Sequence, residues 1–384
     1  MKILIVSQIP THPVNAGNRK GILNQVEILK ELGHEVYFFY IDTRPLFSKS
    51  VEESDHKQEE YWGDHLLVWR MPWMNHLYQM IIQRNRIYFN NGYLKVDDMY
   101  PSAISNKIKK LQEYHKFDCC IVNYYYLSKL FTKVHFPFEA MFTHDYFAYK
   151  SILVGLKTVG YNTTAHEEAI AMQRSKNIFA VNTEEAIYFS KLSPKSRVFN
   201  IFSPFFYHSM PVKGNKTLLF FSGDNIFNIN GIYWFLKHIF PLIYEKWPDI
   251  KLIIGGSICK KLNDIASANI QLKGFVEDPV KFYELGDIVI NPTYEGTGLK
   301  IKTFEAISYD KIVMAHPHSI SGMYDIKNIP VFSSIEPANW IEFLDNIWNN
   351  SGEINKIKEK NSKYLESLNK FIISEYERFF SQKD

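Results

Sequence analysis

The chain has 384 residues, of which 46% are hydrophobic and 22% charged, and its formal net charge is +3 at pH 7. A single hydrophobic core stops growing near about 250 to 300 residues, so this length predicts two domains. A charge this close to balance argues against a nucleic-acid partner held by phosphate neutralisation.

The cysteines and the apolar runs indicate the compartment. Cys119, Cys120 and Cys259 have no metal-ligand spacing and predict buried thiols, so we expect neither a disulfide framework nor a bound metal or other cofactor. The first apolar run is shorter than a signal-peptide core, and no run of about 18 apolar residues occurs. We therefore expect a cytoplasmic protein.

Strand-length apolar runs alternate with helical patterns from the first residue onward, which predicts an α/β fold with parallel sheets. The first helix is predicted from about Arg19 to Leu32, ending at Gly33. Thr164 and Thr183 are predicted to cap later helices. The candidate strands of the first half are "KILIVSQ", "EVYFFYI", "HLLVWRM", "DCCIVNY", "EAMFTHD", "NIFAVN" and "RVFNIF".

The stretch "SPFFYHSMPVKGNK", near residues 203–216, contains two prolines and a glycine and predicts a domain linker. The same alternation then restarts, with one helix predicted through "GIYWFLKHIFPLIYEKW" and a final amphipathic helix from about Glu353. The candidate strands are "TLLFFSGD", "IKLIIGG", "IQLKGF", "DIVINP" and "KIVMAHP". Two doubly wound domains face to face would leave a cleft at the carboxyl ends of both sheets.

A glycine-rich turn lies between "DIVINP" and the next helix, in "YEGTGLKIKTFEAIS". Gly296 and Gly298 let backbone amides approach an anion, and the following helix adds its positive N-terminus. The sequence therefore predicts an anion site at a strand end. No Walker A sequence occurs, and no G-x-G-x-x-G triplet follows the first strand of either half, which disfavours a P-loop ATPase or an NAD enzyme.

Charged side chains follow this turn in an order that suits a nucleotide. Lys300 and Lys302 would neutralise a diphosphate, and Glu305, about one helical turn further on, can accept hydrogen bonds from a ribose diol. The alternative is a simple turn followed by an exposed Lys302–Glu305 helix pair.

These motifs resemble those of the group 1 (family 4) nucleotide-sugar glycosyltransferases of GT-B architecture. "FFSGDNIFNINGIYWFLKHIFPLI", "LKGFVEDPVKFYELGDIVINP" and "GTGLKIKTFEAIS" are similar in order and spacing to the family's first C-terminal strand and helix, its nucleobase loop and its donor motif. "MKILIVSQIPTHPVNAGNRKGILNQVEILKELGHEV" and "FTHDYFAYK" are similar to its N-terminal acceptor-side segments. The resemblance implies a metal-independent hexosyltransferase that moves a sugar from a nucleotide diphosphate to an acceptor hydroxyl, with retention of configuration.

The resemblance also implies roles for individual residues. Residues 1–205 would bind the acceptor and residues 206–365 the nucleotide sugar, with a helix in 366–384 packing back toward the first domain. His144, Lys302 and Glu305 are the predicted catalytic residues. The donor-binding residues are predicted to be Gly17, Arg19, Gly223, Phe275, Val276, Glu295, Gly296, Thr297, Gly298, Leu299, Lys300, Lys302 and Glu305.

The sequence departs from the family's commonest pattern in two places. Many relatives carry a glutamate that touches the donor sugar where this chain has Thr297, and whether Glu295 substitutes stays open. The Arg and Lys that many relatives place after the first C-terminal strand are missing around Gly223. Phe275 and Val276 match the loop whose backbone reads the base, or else they end a strand inside the core.

The N-terminal candidates have structural alternatives as well. His144 ends a predicted strand, where a neutral imidazole would donate to a sugar hydroxyl or the diphosphate, or else serve the structure alone. Gly17 would allow close approach to the donor phosphates. Arg19 would pair with a phosphate or cap the helix that follows.

Residues 69–95 contain four Lys or Arg residues, no Asp or Glu, and many aromatic residues. This composition is typical of contact with an anionic membrane surface, the alternative being an aromatic core helix with solvated arginines. A membrane contact would suit a glycan or lipid-linked glycan acceptor at the inner face of the cell membrane, in polysaccharide or lipopolysaccharide assembly. The rival functions are a catalytically silent subunit that binds nucleotide sugar or a partner enzyme, and an epimerase or phosphorylase of the same architecture.

Overall fold

The computed structural model describes residues 1–14, 17–44, 51–89, 92–153, 162–262 and 264–382. The chain divides into two compact units, one made of Met1–Ser203 with Ile372–Asp384 and the other of Pro204–Phe371. Each unit contains a parallel sheet flanked by helices. The predicted α/β class with two Rossmann-like domains is confirmed.

The sheet of the first unit has seven strands within the described residues, in the order β3-β2-β1-β4-β5-β6-β7. Every neighbouring pair is parallel. Its strands are β1 Lys2–Ser7, β2 Glu35–Asp42, β3 Leu66–Arg70, β4 Cys119–Asn123, β5 Phe138–Phe142, β6 Asn177–Ala180 and β7 Arg197–Asn200. The central strands are buried on both faces, which explains why they are continuous apolar runs in the sequence.

Helices connect these strands. They are α1 Gly17–Glu31, α2 Val51–Trp62, α3 Trp73–Phe89, α4 Ala103–His115, α5 Lys150–Leu153, α6 Ala165–Met172 and α7 Thr183–Leu192. Thr164 caps α6 as predicted, because its side chain accepts from the amide of Glu167. The predicted Thr183 cap is wrong: Thr183 is already helical, and the side chain of Asn182 accepts from the amide of Glu185.

The second unit repeats the architecture with six parallel strands in the part of the chain that the structure describes, in the order β10-β9-β8-β11-β12-β13. The strands are β8 Thr217–Phe221, β9 Lys251–Gly255, β10 Ile270–Gly274, β11 Ile288–Asn291, β12 Ile312–Ala315 and β13 Val331–Ser333. The helices are α8 Ile226–His238, α9 Phe240–Lys246, α10 Pro279–Tyr283, α11 Ile301–Ser308, α12 Pro337–Asn349 and α13 Ser351–Phe380.

One predicted helix of this unit differs from the sequence prediction in two details. The helix expected through "GIYWFLKHIFPLIYEKW" starts earlier, at Ile226, and is interrupted at Ile239. Pro241 follows the break, and proline suits the first turn of a new helix because it lacks an N–H. In α11, Phe304 and Ile307 are fully buried whereas Ile301, the first helical residue, is 41% exposed.

The last helix, α13, contributes to both units. The sequence predicts an apolar face of Leu365, Leu368, Phe371 and Ile372 for this helix; Leu365, Leu368 and Ile372 are buried, and Phe371 is half-buried. Beyond Ile372 it packs in the first unit, where the carboxylate of Glu375 accepts from the amide of Asn200 at 2.8 Å.

The strand order marks one special position in each sheet. β1 lies between β2 and β4, and β8 lies between β9 and β11, so successive connections leave in opposite directions at these points. Open α/β sheets bind ligands in the crevice that this reversal leaves at the carboxyl ends of the strands. In the second unit that position belongs to residues 222–225, after β8, and residues 292–300, after β11.

Candidate functional site

The loop after β11 depends on its two glycines. Gly296 has a φ of 112° and Gly298 a φ of 80°, both in the left-handed region that favours glycine. A Cβ atom on Gly296 would lie 3.1 Å from the ring of Phe227. The loop then enters α11 at Ile301, so the predicted order of glycine turn and helix N-terminus is confirmed.

Buried hydrogen bonds fix both ends of this loop. Asn291 donates through Nδ2 to Thr303 Oγ1 at 2.9 Å, and that hydroxyl donates to the carbonyl of Ser319 at 2.7 Å. Ser319 in turn donates through Oγ to the carbonyl of Thr293 at 2.7 Å. Because α8 also packs at Gly231, where a Cβ would lie 2.8 Å from the Cα of Thr293, the loop is held from two sides.

Lys302 occupies an unfavourable position for a free cation. Burial is the main cause that lowers its pKa to about 8; the nearby charge of Lys300 acts in the same sense and Glu305 in the opposite sense. An anion bound between or beside the Lys300 and Lys302 ammonium groups would stabilise their charges in this partly desolvated site. The electrostatics therefore favour a negatively charged ligand at the start of α11.

Lys300 lies beside a histidine that was not among the predicted site residues. His318 Nε2 lies 2.8 Å from the carbonyl oxygen of Gly296 and 3.2 Å from Lys300 Nζ. His318 thus contacts both the glycine turn and the first lysine. Its sequence signal was its place in "KIVMAHPHSI", directly after a strand, where side chains reach the same edge of the sheet.

Glu295 also has a partner that was not predicted. Asn230, on α8, donates through Nδ2 to Glu295 Oε1 at 2.7 Å. This bond holds one carboxylate oxygen of Glu295 against α8.

Glu305 lies near two stacked tyrosines. The rings of Tyr283 and Tyr309 have centroids 4.5 Å apart, and the charge of Glu305 adds to burial in raising the pKa of both phenols. Tyr283 ends α10, which follows the predicted nucleobase loop. Glu305 is therefore on the side of the site nearest that loop.

The nucleobase loop itself is exposed at its tip. Phe275 is 84% exposed, so the alternative of a strand end packed in the core is wrong for this residue. Val276 turns back toward β9, since its Cγ2 would lie 3.0 Å from a Cβ on Gly255. Gly223 has no steric need for glycine, because a Cβ there would meet only Ser257 Oγ at 3.8 Å.

His144 lies in the first unit, directly after β5. Its φ is 64°, its ring stacks on Tyr124 with centroids 4.5 Å apart, and its Nε2 lies 2.6 Å from Asn123 Oδ1. Burial lowers its pKa to about 3, so the imidazole is neutral. The sequence predicts a neutral imidazole that donates to a ligand. In the structure Nε2–H donates to Asn123 Oδ1 instead, and Nδ1 is left as an acceptor.

The remaining candidates stand at the start of α1. Gly17 is its first, exposed residue. Arg19 donates through Nη1 to the carbonyl of Pro13 at 3.2 Å, so it braces the loop after β1. Both residues belong to the first unit, and their contact with a donor stays a prediction.

The pKa of His144 leads to a testable pH dependence. Below the ordinary pKa of 6.5, His144 binds a proton in the unfolded chain but not in the folded chain. Protonation of His144 therefore favours the unfolded chain, and the folded state loses stability as pH falls from about 6.5 toward 3. His144→Asn tolerates the positive φ and removes the titration. As pH falls through this range, the free energy of unfolding in urea should therefore fall more steeply for the wild type than for His144→Asn, by up to about 1.4 kcal/mol per pH unit. Parallel profiles would refute this account.

Among the described residues, no three His, Cys, Asp or Glu side chains are grouped as a metal ion would need. No helix in the same part of the chain has both the length and the hydropathy to cross a membrane.

Comparison with known proteins agrees with this geometry. Residues 215–346 match the family model described as Glycosyl transferases group 1. A Klebsiella pneumoniae protein described as an uncharacterized 44.6 kDa protein in the cps region is 24% identical over 335 residues, with 82% of each chain covered.

Solved structures share the fold of this chain. TarM of S. aureus superposes with a TM-score of 0.67 at 12% identity, covering 99% of both chains. HepE of Anabaena, in complex with UDP, superposes with a TM-score of 0.67 at 13% identity, covering 100% of both chains. Residues 215–346 are therefore similar to the group 1 glycosyltransferases, and the chain has the GT-B fold of these solved structures.

Proposed function

We propose that the chain transfers a sugar from a nucleotide-diphosphate sugar to an acceptor hydroxyl, with retention of configuration and without a metal. One observation carries the proposal: the glycine turn, the two lysines and Glu305 lie together at the carboxyl end of β11, in a domain of the group 1 type. UDP is the first nucleotide to test, because HepE was crystallised with UDP.

The leaving diphosphate sets the chemical task. Its negative charge grows as the sugar–phosphate bond breaks, and Lys300, Lys302 and the amides at the start of α11 would stabilise that charge. In the retaining route that we propose, the acceptor oxygen bonds to the anomeric carbon on the face that the diphosphate leaves. The diphosphate keeps the bonding electrons, and its released oxygen takes the proton of the acceptor hydroxyl.

The acceptor side of the proposal rests on the first unit. His144 Nδ1 would accept a hydrogen bond from a sugar hydroxyl. The cps region in which the Klebsiella relative lies supports capsular polysaccharide assembly as the setting, with a glycan or lipid-linked glycan as acceptor. Lipopolysaccharide is the other envelope glycan that transfer to such an acceptor would help to build.

The titration of Lys302 should make the affinity for UDP depend on pH. Its pKa is about 8 in the free protein, and a bound diphosphate would raise that pKa by favouring the charged form. Below pH 8 the affinity for UDP should not depend on this group, and above pH 8 the affinity should fall by up to about tenfold per pH unit. Calorimetric titration with UDP from about pH 7 to 9.5 tests this, and identical profiles for wild type and Lys302→Arg would contradict it.

A second candidate is binding of a nucleotide sugar without turnover. It is favoured by Thr297 and by the loop after β8, where the exposed Asp224 accepts a hydrogen bond from Ser257 and no Arg or Lys is found. Under this candidate the first unit would bind a partner enzyme.

Acceptor-dependent release of UDP separates the two candidates. Purified full-length chain is incubated with a panel of UDP-sugars, with and without alkyl glycosides as acceptors, and UDP is measured with a coupled assay. Transfer predicts release that rises with acceptor and a glycosylated product by mass spectrometry. UDP-sugar binding with no release on any acceptor would contradict transfer and favour the silent subunit.

A further inference from the structure

Helix α3, in the first unit, presents its apolar side to the surface. Eight large apolar or aromatic side chains of this 17-residue helix are exposed. Among them are Trp73 at 62%, Leu77 at 48%, Met80 at 65%, Ile81 at 51%, Tyr88 at 70% and Phe89 at 86%. The alternative of an aromatic core helix, raised from the sequence, is therefore wrong.

The polar side of α3 faces the protein. Gln79 donates through Nε2 to the carbonyl of Met99 at 3.1 Å, and Gln83 Nε2 lies 3.3 Å from the sulfur of the same residue. Arg86 pairs with Asp98 through Nε at 2.9 Å. These bonds fix the rotation of the helix about its axis and keep its apolar side outward.

This orientation is the reverse of that in an ordinary surface helix. Residues 73, 77, 80, 81, 84 and 88 recur at three- and four-residue spacing, so their side chains form one continuous ridge. A helix of a globular protein normally turns such a stripe toward the core. An apolar ridge kept outward by polar contacts beneath it marks an interaction surface.

Charge indicates what this ridge contacts. Residues 69–95 contain no Asp or Glu. The arginine within the ridge, Arg84, is exposed, and its guanidinium lies 6.0 Å from the centroid of the Tyr88 ring. The ridge therefore combines aromatic rings and long apolar side chains with a cation that has no acidic residue in its own segment. This combination matches an anionic lipid surface, where Trp and Tyr lie at headgroup level.

We propose that α3 is an interfacial helix, which lies in the surface of a bilayer containing acidic lipids and inserts its apolar ridge at the boundary between headgroups and acyl chains. The inference goes beyond the proposed transfer reaction and does not depend on it, because its test needs neither donor nor acceptor. It would place the first unit, the proposed acceptor-binding unit, at a membrane surface.

Co-sedimentation with vesicles tests the proposal. The full-length chain is mixed with vesicles of phosphatidylcholine alone or with about one third phosphatidylglycerol, and the bound fraction is measured against lipid concentration. The test variant is Met80→Gln with Ile81→Gln. The matched control is Leu242→Gln with Tyr244→Gln, which changes two similarly exposed apolar side chains on α9.

We expect binding to the acidic vesicles, a partition coefficient at least about tenfold lower for the α3 variant, and no change for the control. Arg84→Gln should weaken binding to acidic vesicles but not to neutral ones. Failure of the wild type to bind acidic vesicles, or equal binding by both double variants, would overturn the proposal. So would a dimer, seen by analytical ultracentrifugation, that the α3 substitutions dissociate, since a second copy of the chain would then cover the ridge.

Discussion

Replacing Lys302 by alanine is expected to lower the rate of sugar transfer about 100-fold. The lysine would stabilise the charge on the departing diphosphate, and loss of one such preorganised contact typically costs about 3 kcal/mol of the barrier. The fold should survive, since the change removes a desolvated cation whose pKa burial has already lowered to about 8. The measurement is kcat/KM for UDP-sugar turnover, with unfolding followed in parallel.

Lys237→Ala is the matched control for Lys302. Lys237 is an exposed lysine in the last turn of α8, outside the loop after β11, and its loss should leave turnover unchanged. Near-normal turnover of the Lys302 variant would remove this residue from the site. Equal losses in both variants would show that the assay responds to the net charge of the domain.

Replacing Glu305 by alanine is expected to weaken UDP binding about 10- to 100-fold, because a carboxylate that accepts from the ribose diol makes charge-assisted hydrogen bonds of about 1.5 to 3 kcal/mol. The ligand supplies a sharper comparison. A 2′,3′-dideoxy analogue of UDP lacks the diol, so its affinity should be nearly the same for the variant and the wild type.

Two controls accompany the Glu305 measurement. Glu342→Ala removes an exposed carboxylate on α12 and should bind UDP and the dideoxy analogue as the wild type does. If Glu305→Ala weakens both ligands equally, the carboxylate does not contact the ribose. A purely structural role through Tyr283 and Tyr309 would then explain the loss.

Most of the fold could be predicted because local patterns determine it. Strands buried on both faces are continuous apolar runs, and the expected strands were found. The errors came where one residue decides an element boundary, as with the cap at Asn182 and the helix break before Pro241. The short edge strand β13 was not predicted, since three residues carry too little pattern.

Only the part of the site whose residues are close together in the sequence could be predicted. The glycine turn, the lysines and Glu305 follow one another along the chain. The contacts of Asn230 with Glu295 and of His318 with Gly296 join residues 65 and 22 positions apart, and a single sequence does not show such pairings. The rotation of α3 likewise depends on Met99 and Asp98, which lie beyond the end of the helix.

The central claim, a nucleoside-diphosphate site at the start of α11, is tested most directly by thermal unfolding with UDP. A ligand at one hundred times its Kd stabilises the native state by about 2.7 kcal/mol, so Tm should rise in wild type and Lys237→Ala. At the same concentration, a 10- to 100-fold weaker affinity leaves only about 1.4 to 0.4 kcal/mol of stabilisation, so the rise in Tm should be much smaller in Lys302→Ala and Glu305→Ala. NAD and ATP should have no effect. No rise with any nucleoside diphosphate, or a rise of full size in both site variants, would contradict the account.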